Sequence, residues 1–174
     1  GLDIVEEYVR DGVTICSLTW NAENPLGGGA HASTGLTDYG KQCVKELEDA
    51  GIVLDTSHMS DASFDDLVKI ATKPFIATHS NARAIQDVPR NLSDYQIKYL
   101  IEIGGLIGFN GYHEFIGNDE DPTFDRAAKH IEHLLELGAE NVLALGADFD
   151  GGTSLSWFDG VQDIPAFYAM VSKR

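Results

Sequence analysis

Residues 52–58 read Ile-Val-Leu-Asp-Thr-Ser-His, and residues 74–80 read Pro-Phe-Ile-Ala-Thr-His-Ser. Each is a short apolar run, rich in strand-forming residues, that delivers a histidine at its carboxyl end. Between them, residues 61–72 carry a helical pattern. A strand, a helix and a second strand in this order make a βα unit around a parallel sheet. The same alternation extends outward on both sides. Upstream, a helix over 2–10 stops near Gly12, a strand covers 13–19, a Gly-rich loop covers 21–34 and a helix covers 37–50. Thr37 can cap that helix, Val44 and Leu47 share its inner face, and Gly51 ends it. Downstream come a helix over 93–103 with Ile97, Leu100 and Ile101 inward, a strand over 106–110, a helix over 124–137 stopped at Gly138, a strand over 142–147 and a helix over 164–172. Five parallel strands fit either part of a (β/α)8 barrel, which needs eight strands, or an open doubly wound sheet. Gly27-Gly28-Gly29 is a run rather than a dinucleotide fingerprint, and it opens no helix.

Barrel enzymes keep their chemistry at the carboxyl ends of the strands. Here those ends read Thr19-Trp20-Asn21, Ser57-His58, Thr78-His79-Ser80, Asn110-Gly111-Tyr112 and Asp148-Phe149-Asp150. Two-residue periodicity places His58 with Ile52, Leu54 and Thr56, His79 with Phe75 and Ala77, and Asp148 with Val142, Ala144 and Gly146. Small residues below the polar ends leave room for a metal and a substrate. Asp55 falls on the opposite face from His58, which suits a supporting or helix-capping group. Two histidines on neighbouring strands, about 4.8 Å apart, can meet at one metal. A carboxylate such as Asp148 can then take a proton from metal-activated water.

Composition narrows the field. The 174 residues are 43% hydrophobic and 23% charged, with a formal net charge of −16. That is the make-up of one globular domain over 1–174, and its charge repels nucleic acid and anionic membrane. No apolar run approaches a membrane span. Cys16 and Cys43 have no CxxC partner and read as buried free thiols of a reducing, cytoplasmic compartment.

The blocks Leu54-Asp55-Thr56-Ser57-His58-Met59-Ser60, Ala77-Thr78-His79-Ser80-Asn81, Pro89-Arg90-Asn91-Leu92 and Gly146-Ala147-Asp148-Phe149-Asp150-Gly151, in this order and spacing, resemble the signature blocks of the membrane (renal) dipeptidase family. The segment Leu18-Thr19-Trp20-Asn21 and the later Gly35-Leu36-Thr37 fit bacterial members. The resemblance runs over essentially the whole chain. It implies strands four to eight of a (β/α)8 barrel and a site with two zinc ions that cleaves dipeptides, including those with a C-terminal D-residue, through a metal-bridging hydroxide. His58 and His79 would be zinc ligands. Asp148 would be the general acid/base, and Arg90 would hold the C-terminal carboxylate of the dipeptide. Tyr112 and Asn110 would face the substrate.

The chain departs from the family pattern in two ways. The first-strand His-x-Asp pair and the bridging Glu have no counterpart in residues 1–13, where Asp3, Glu6 and Glu7 are helix residues. Trp20 stands where some members carry a substrate-polarising His, with Asn21 and His31 nearby. Half of a metal site is therefore expected, as in a fragment of a longer chain. Two rival readings stay open: another amidohydrolase-type barrel such as a deaminase or lactonase, and a non-catalytic metal- or peptide-binding remnant that self-associates through exposed sheet edges. His130 and His133 on the long helix read as part of an exposed polar face, and the acidic stretch 118–121 as a solvated loop.

Overall fold

The computed structural model describes residues 1–119 and 122–173. Glu120 and Asp121, the end of the acidic stretch, lie outside the described residues. The chain divides into two compact units, Gly1–Ala77 with Glu102–Leu106, and Thr78–Ile101 with Ile107–Arg174.

The first unit opens with α1 (Ile4–Arg10), which ends at Gly12, where φ is +79°. The strand β1 (Ile15–Ser17) pairs in parallel with β2 (Val53–Asp55), Ile15 opposite Val53 and Ser17 opposite Asp55. Between them runs α2 (Asp38–Asp49), and α3 (Asp61–Ile70) follows β2. Thr37 caps α2 as expected, its hydroxyl accepting from the Gly40 N–H at 3.0 Å. The cap of α3 is Ser60, accepting from the Ser63 N–H at 3.0 Å, so Asp55 has no capping role. Val44, Leu47, Phe64 and Leu67 are at most 1% exposed, and the rings of Phe64 and Phe75 meet edge to face at 5.5 Å. Burying each such side chain contributes roughly 2 kcal/mol, whereas an exposed pair such as Lys45–Asp49 adds a fraction of that, so the helix faces and not the surface charges hold this unit together. Cys43 is buried as expected and Cys16 only half-buried; both are free thiols, and burial raises the pKa of each.

The strands are shorter than the apolar runs that encode them. The run 74–78 forms isolated bridges rather than a strand; in the parallel bridge of Asp55 with Ile76, the Ile76 N–H donates to the Leu54 carbonyl and the Thr56 N–H donates to the Ile76 carbonyl. Past Asp55 the backbone turns, the Met59 N–H reaching back to the Thr56 carbonyl at 2.9 Å. Polar side chains take over where the ladder stops: the Thr56 hydroxyl donates to the Ile76 carbonyl at 3.0 Å.

The second unit contains α4 (Asp94–Glu102, all but its last residue), β3 (Ile107–Phe109), α5 (His113–Ile116), α6 (Phe124–Glu136), β4 (Leu143–Leu145) and α7 (Ile164–Val171). The sequence gives no periodic signal for α5, which is a single turn. Strands β3 and β4 pair in parallel, Ile107 opposite Leu143. Their outer cover is aromatic: Phe167 stacks on Phe109 at 5.5 Å and on Phe158 at 4.8 Å, with Ile116, Ala127, Ile131 and Leu155 closing the core. Among the described residues no helix is long and apolar enough to cross a membrane.

One close approach organises this unit. The segment Thr78–Ser80 lies along β3, the Ser80 N–H donating to the Gly108 carbonyl at 2.8 Å. A Cβ built on Gly108 or on Gly146 would stand 1.8 Å from the Thr78 carbonyl oxygen. The small residue at 146 therefore makes room for backbone, not for a metal or substrate as its place below Asp148 suggested. Gly108→Ala and Gly146→Ala should each destabilise the protein by about 3 kcal/mol, the range of overpacking in a fixed core. Urea unfolding checks this, with Gly12→Ala, which meets open space, losing about 1 kcal/mol through its positive φ alone.

Candidate active site

In the first unit, the β2 end forms a tight polar knot. Asp55 is buried and accepts from the Ser17 hydroxyl at 3.0 Å, the Ser57 N–H at 3.1 Å and the Ser57 hydroxyl at 2.7 Å. It fixes the turn on which His58 stands. Because His58 sits on that turn and not on extended backbone, strand parity does not set its direction. The Thr19 hydroxyl donates to the His58 carbonyl at 2.9 Å, and His58 Nδ1 lies 3.1 Å from Asn21 Oδ1. A carboxamide oxygen there makes Nδ1 the donor and places the lone pair on Nε2, the tautomer a metal-binding histidine uses. The Trp20 indole stands 6.3 Å from the His58 ring and is 70% exposed. His31 is exposed, and its own N–H donates to the Asn21 carbonyl.

In the second unit, four of the expected residues come together around Asn110. Its side-chain nitrogen donates to Asp148 Oδ2 at 3.2 Å and lies 3.4 Å from the His79 carbonyl oxygen. Its side-chain oxygen accepts from the Tyr112 N–H at 2.6 Å. Asn110 is wholly buried, so its carboxamide is engaged by the protein rather than offered to a substrate. Arg90 is 4% exposed; Nη2 donates to the His79 carbonyl at 3.3 Å, and the guanidinium lies over the Phe115 ring at 5.1 Å. His79 Nδ1 is 2.6 Å from the Thr78 hydroxyl oxygen. Tyr112 is half-buried against Phe115 and His113, and burial, then the nearby Glu114 charge, raises its phenol pKa.

Asp148 is the one non-glycine residue with positive φ, +61°, among the described residues. Aspartate tolerates this conformation better than most side chains. Here too the strand has ended, at Leu145, and a turn closed by the Gly151 N–H on the Asp148 carbonyl aims the carboxylate. A Cβ at Gly151 would stand 2.0 Å from Asp148 Oδ1, so a side chain there would push the carboxylate aside.

Sequence reading missed three residues that build this cluster. Asn81 and Asn91, both buried, lie inside the quoted blocks, but nothing in their spacing announces a role. The third is His130, expected on an exposed face and found fully buried. Its Nδ1 accepts from the Ala82 N–H at 3.2 Å and its Nε2 donates to the Ile116 carbonyl at 3.0 Å. The signal was present: His130 shares the i, i+3, i+4, i+7 stripe of Ala127, Ile131 and Leu134. His133 pairs instead with Asp94 at 2.8 Å.

His58 has its Nδ1 held by a carboxamide oxygen, the chemistry of an oriented metal ligand, and His79 Nδ1 lies beside the Thr78 hydroxyl. Among the described residues no group of three or more His, Cys, Asp or Glu is set to hold a metal. Each imidazole, taken within its own unit, has the chemistry of a single metal ligand.

An α/β fold that gathers His, Arg and Asp at the carboxyl ends of parallel strands has the layout of the metal-dependent barrel hydrolases. Comparison with known proteins narrows this. The family model of membrane dipeptidase (peptidase family M19) matches residues 1–174, and the chain belongs to that family. A crystal structure of a metallo peptidase from Rhodobacter sphaeroides, liganded with a phosphinate mimic of the dipeptide L-Ala-D-Ala, matches at TM-score 0.94 and 28% identity, over 99% of this chain and 53% of that one. The chain is 32% identical over 173 residues to an uncharacterized protein in the pqqA 5' region of Klebsiella pneumoniae, covering 92% of this chain and 64% of that protein. It is 33% identical over 159 residues to an uncharacterized dipeptidase of Schizosaccharomyces pombe, covering 86% of this chain and 38% of that protein. The chain thus spans between about four-tenths and two-thirds of the length of these relatives.

The buried His130 gives a test of the cluster's frame. Burial, followed by the charges of Arg126 and His133 and against the favourable Ile116 carbonyl, lowers its pKa from 6.5 to about 4. Its neutral form thus stabilises the fold fully above pH 6.5, and that stabilisation is lost as pH falls through 4, up to roughly 3 kcal/mol. His130→Gln, which can accept and donate at similar points but does not ionise, should lose less of its urea midpoint than wild type between pH 6.5 and 4.5.

Proposed function

We propose that the whole protein is a zinc dipeptidase and that this chain supplies strands four to eight of its (β/α)8 barrel. The observation that carries the reading is the grouping of His79, Arg90 and Asp148 around one buried asparagine, in a chain of the membrane dipeptidase family. His58 and His79 would hold zinc, with further ligands from residues outside this sequence. Zinc, when bound, supplies Lewis acidity toward the peptide carbonyl and lowers the pKa of water. Asp148 then takes a proton from the attacking water and returns it to the leaving amine. The Asn110 N–H on Oδ2 holds that carboxylate in one orientation and leaves Oδ1 for proton transfer.

Arg90 sets the substrate class. A planar guanidinium accepts a carboxylate through two parallel hydrogen bonds, so it favours a peptide whose C-terminus is free and near the scissile bond. Its anchorage on the His79 carbonyl ties the carboxylate grip to the metal-ligand segment. The solved relative crystallised with an L-Ala-D-Ala mimic supports dipeptides with a C-terminal D-residue as substrates. Trp20 cannot polarise a carbonyl as an imidazolium does, so position 20 would give no help to a bound zinc in that task.

The full-length protein, loaded with zinc, should hydrolyse L-Ala-D-Ala and lose activity to a chelator. Amidation of the dipeptide C-terminus should lower kcat/KM by about a hundredfold in wild type, and Arg90→Ala should abolish that preference; a wild type indifferent to amidation would instead favour another amidohydrolase chemistry. Asp148→Asn should lower kcat by about a thousandfold with zinc content unchanged, read by steady-state kinetics and metal analysis.

A further inference from the structure

We infer that the Asn81 carboxamide is a positioning residue that sets where the Asp148 carboxylate stands, acting through Asn110. This rests on Asp148 being the proton-handling group of the dipeptidase reading above.

Asn81 is fully buried and points its side chain along the backbone of Asn110. Its Nδ2 donates to the Asn110 carbonyl at 2.9 Å, and its Oδ1 accepts from the Asn110 N–H at 2.9 Å. One carboxamide therefore reproduces both hydrogen bonds of a neighbouring strand just where β3 ends. That pairing leaves the Asn110 side chain a single place from which to reach Asp148 Oδ2 and the Tyr112 N–H.

Asn81 is itself fixed from two sides. Its N–H donates to Asn91 Oδ1 at 3.3 Å, and its carbonyl accepts from the Leu92 N–H at 2.8 Å. Asn91 in turn donates to the Gln86 carbonyl at 2.9 Å and the Phe115 carbonyl at 2.8 Å. The next residue, Ala82, is tied through its N–H to His130 on α6. Asn91 directly follows Arg90 in the chain. One buried amide frame therefore spans the anion-gripping side of the cluster and its proton-handling side. A buried donor or acceptor left unmade in such a frame is not compensated by water, so each hydrogen bond of the frame constrains the next.

The test uses the zinc-loaded full-length protein. Asn81→Asp keeps an acceptor for the Asn110 N–H but turns an oxygen toward the Asn110 carbonyl. It should lower kcat by about a hundredfold, the cost of a misplaced catalytic group, and leave KM within about threefold. The pH limb of kcat that Asp148→Asn removes should also shift. Wild-type kcat and an unmoved pH limb in Asn81→Asp, or a fall in kcat only in proportion to lost zinc, would overturn the inference. A second measurement needs no variant at position 81. In 15N-edited NMR spectra, the Asn110 side-chain amide should shift as Asp148 titrates and stop doing so in Asp148→Asn. An Asn110 amide indifferent to Asp148 also overturns it. A wild type that cleaves no dipeptide sinks the functional reading instead, and the NMR coupling then reports on the frame alone.

Discussion

The Thr78 carbonyl lodged against two glycines is the constraint on which the second unit depends. Gly108 and Gly146 have no side chain to hold that backbone off, so Thr78–Ser80 runs flush along β3. Everything chemical follows from this seating. His79 leaves its carbonyl where Arg90 and Asn110 both reach it. Asn81 arrives in register to pair with Asn110, and Asn110 faces Asp148. A single methyl group at either glycine would push the histidine segment away from the aspartate strand.

The aromatic cover does a different job. Stacked Phe109, Phe158 and Phe167 supply non-directional burial energy and tolerate small shifts. The amide frame tolerates none, because each of its hydrogen bonds is made in a buried setting where a lost partner is not replaced by water. Stability and positioning are thus assigned to separate sets of residues, rings on one side of the strands and carboxamides at their ends.

Much of this was legible in the sequence. Alternating apolar runs and amphipathic helices gave the α/β pattern, because side-chain burial imposes those periods directly. Thr37, Gly51 and Gly138 marked helix ends through cap chemistry and positive φ. Strand ends were less legible. Ile52 to Ser57 reads as one extended run, but Asp55 and Ser57 hydrogen-bond locally and end the ladder early, which voids parity for His58. Among the candidate site residues, His79, Arg90 and Asp148 stand out by type and place, whereas Asn81 and Asn91 do not, since an asparagine spent on backbone looks like any loop asparagine. His130 reads as polar by residue type, although its neighbours Ala127, Ile131 and Leu134 on the helix mark it as core.

The sequence Asn110-Gly111 carries a chemical hazard that its surroundings contain. An asparagine followed by glycine cyclises more readily than other pairs, because the unhindered glycine nitrogen can attack the carboxamide carbon and expel ammonia, after which water opens the ring to isoaspartate or aspartate. Here the Gly111 N–H is held by the Ala147 carbonyl at 3.0 Å, and the Asn110 carboxamide is pinned at both its nitrogen and its oxygen. The frame that aims Asp148 therefore also sets the working lifetime of the site. Only an opening of the β3 end would expose Asn110 to conversion into a second carboxylate beside Asp148, so packing at this strand end protects the chemistry as well as the fold.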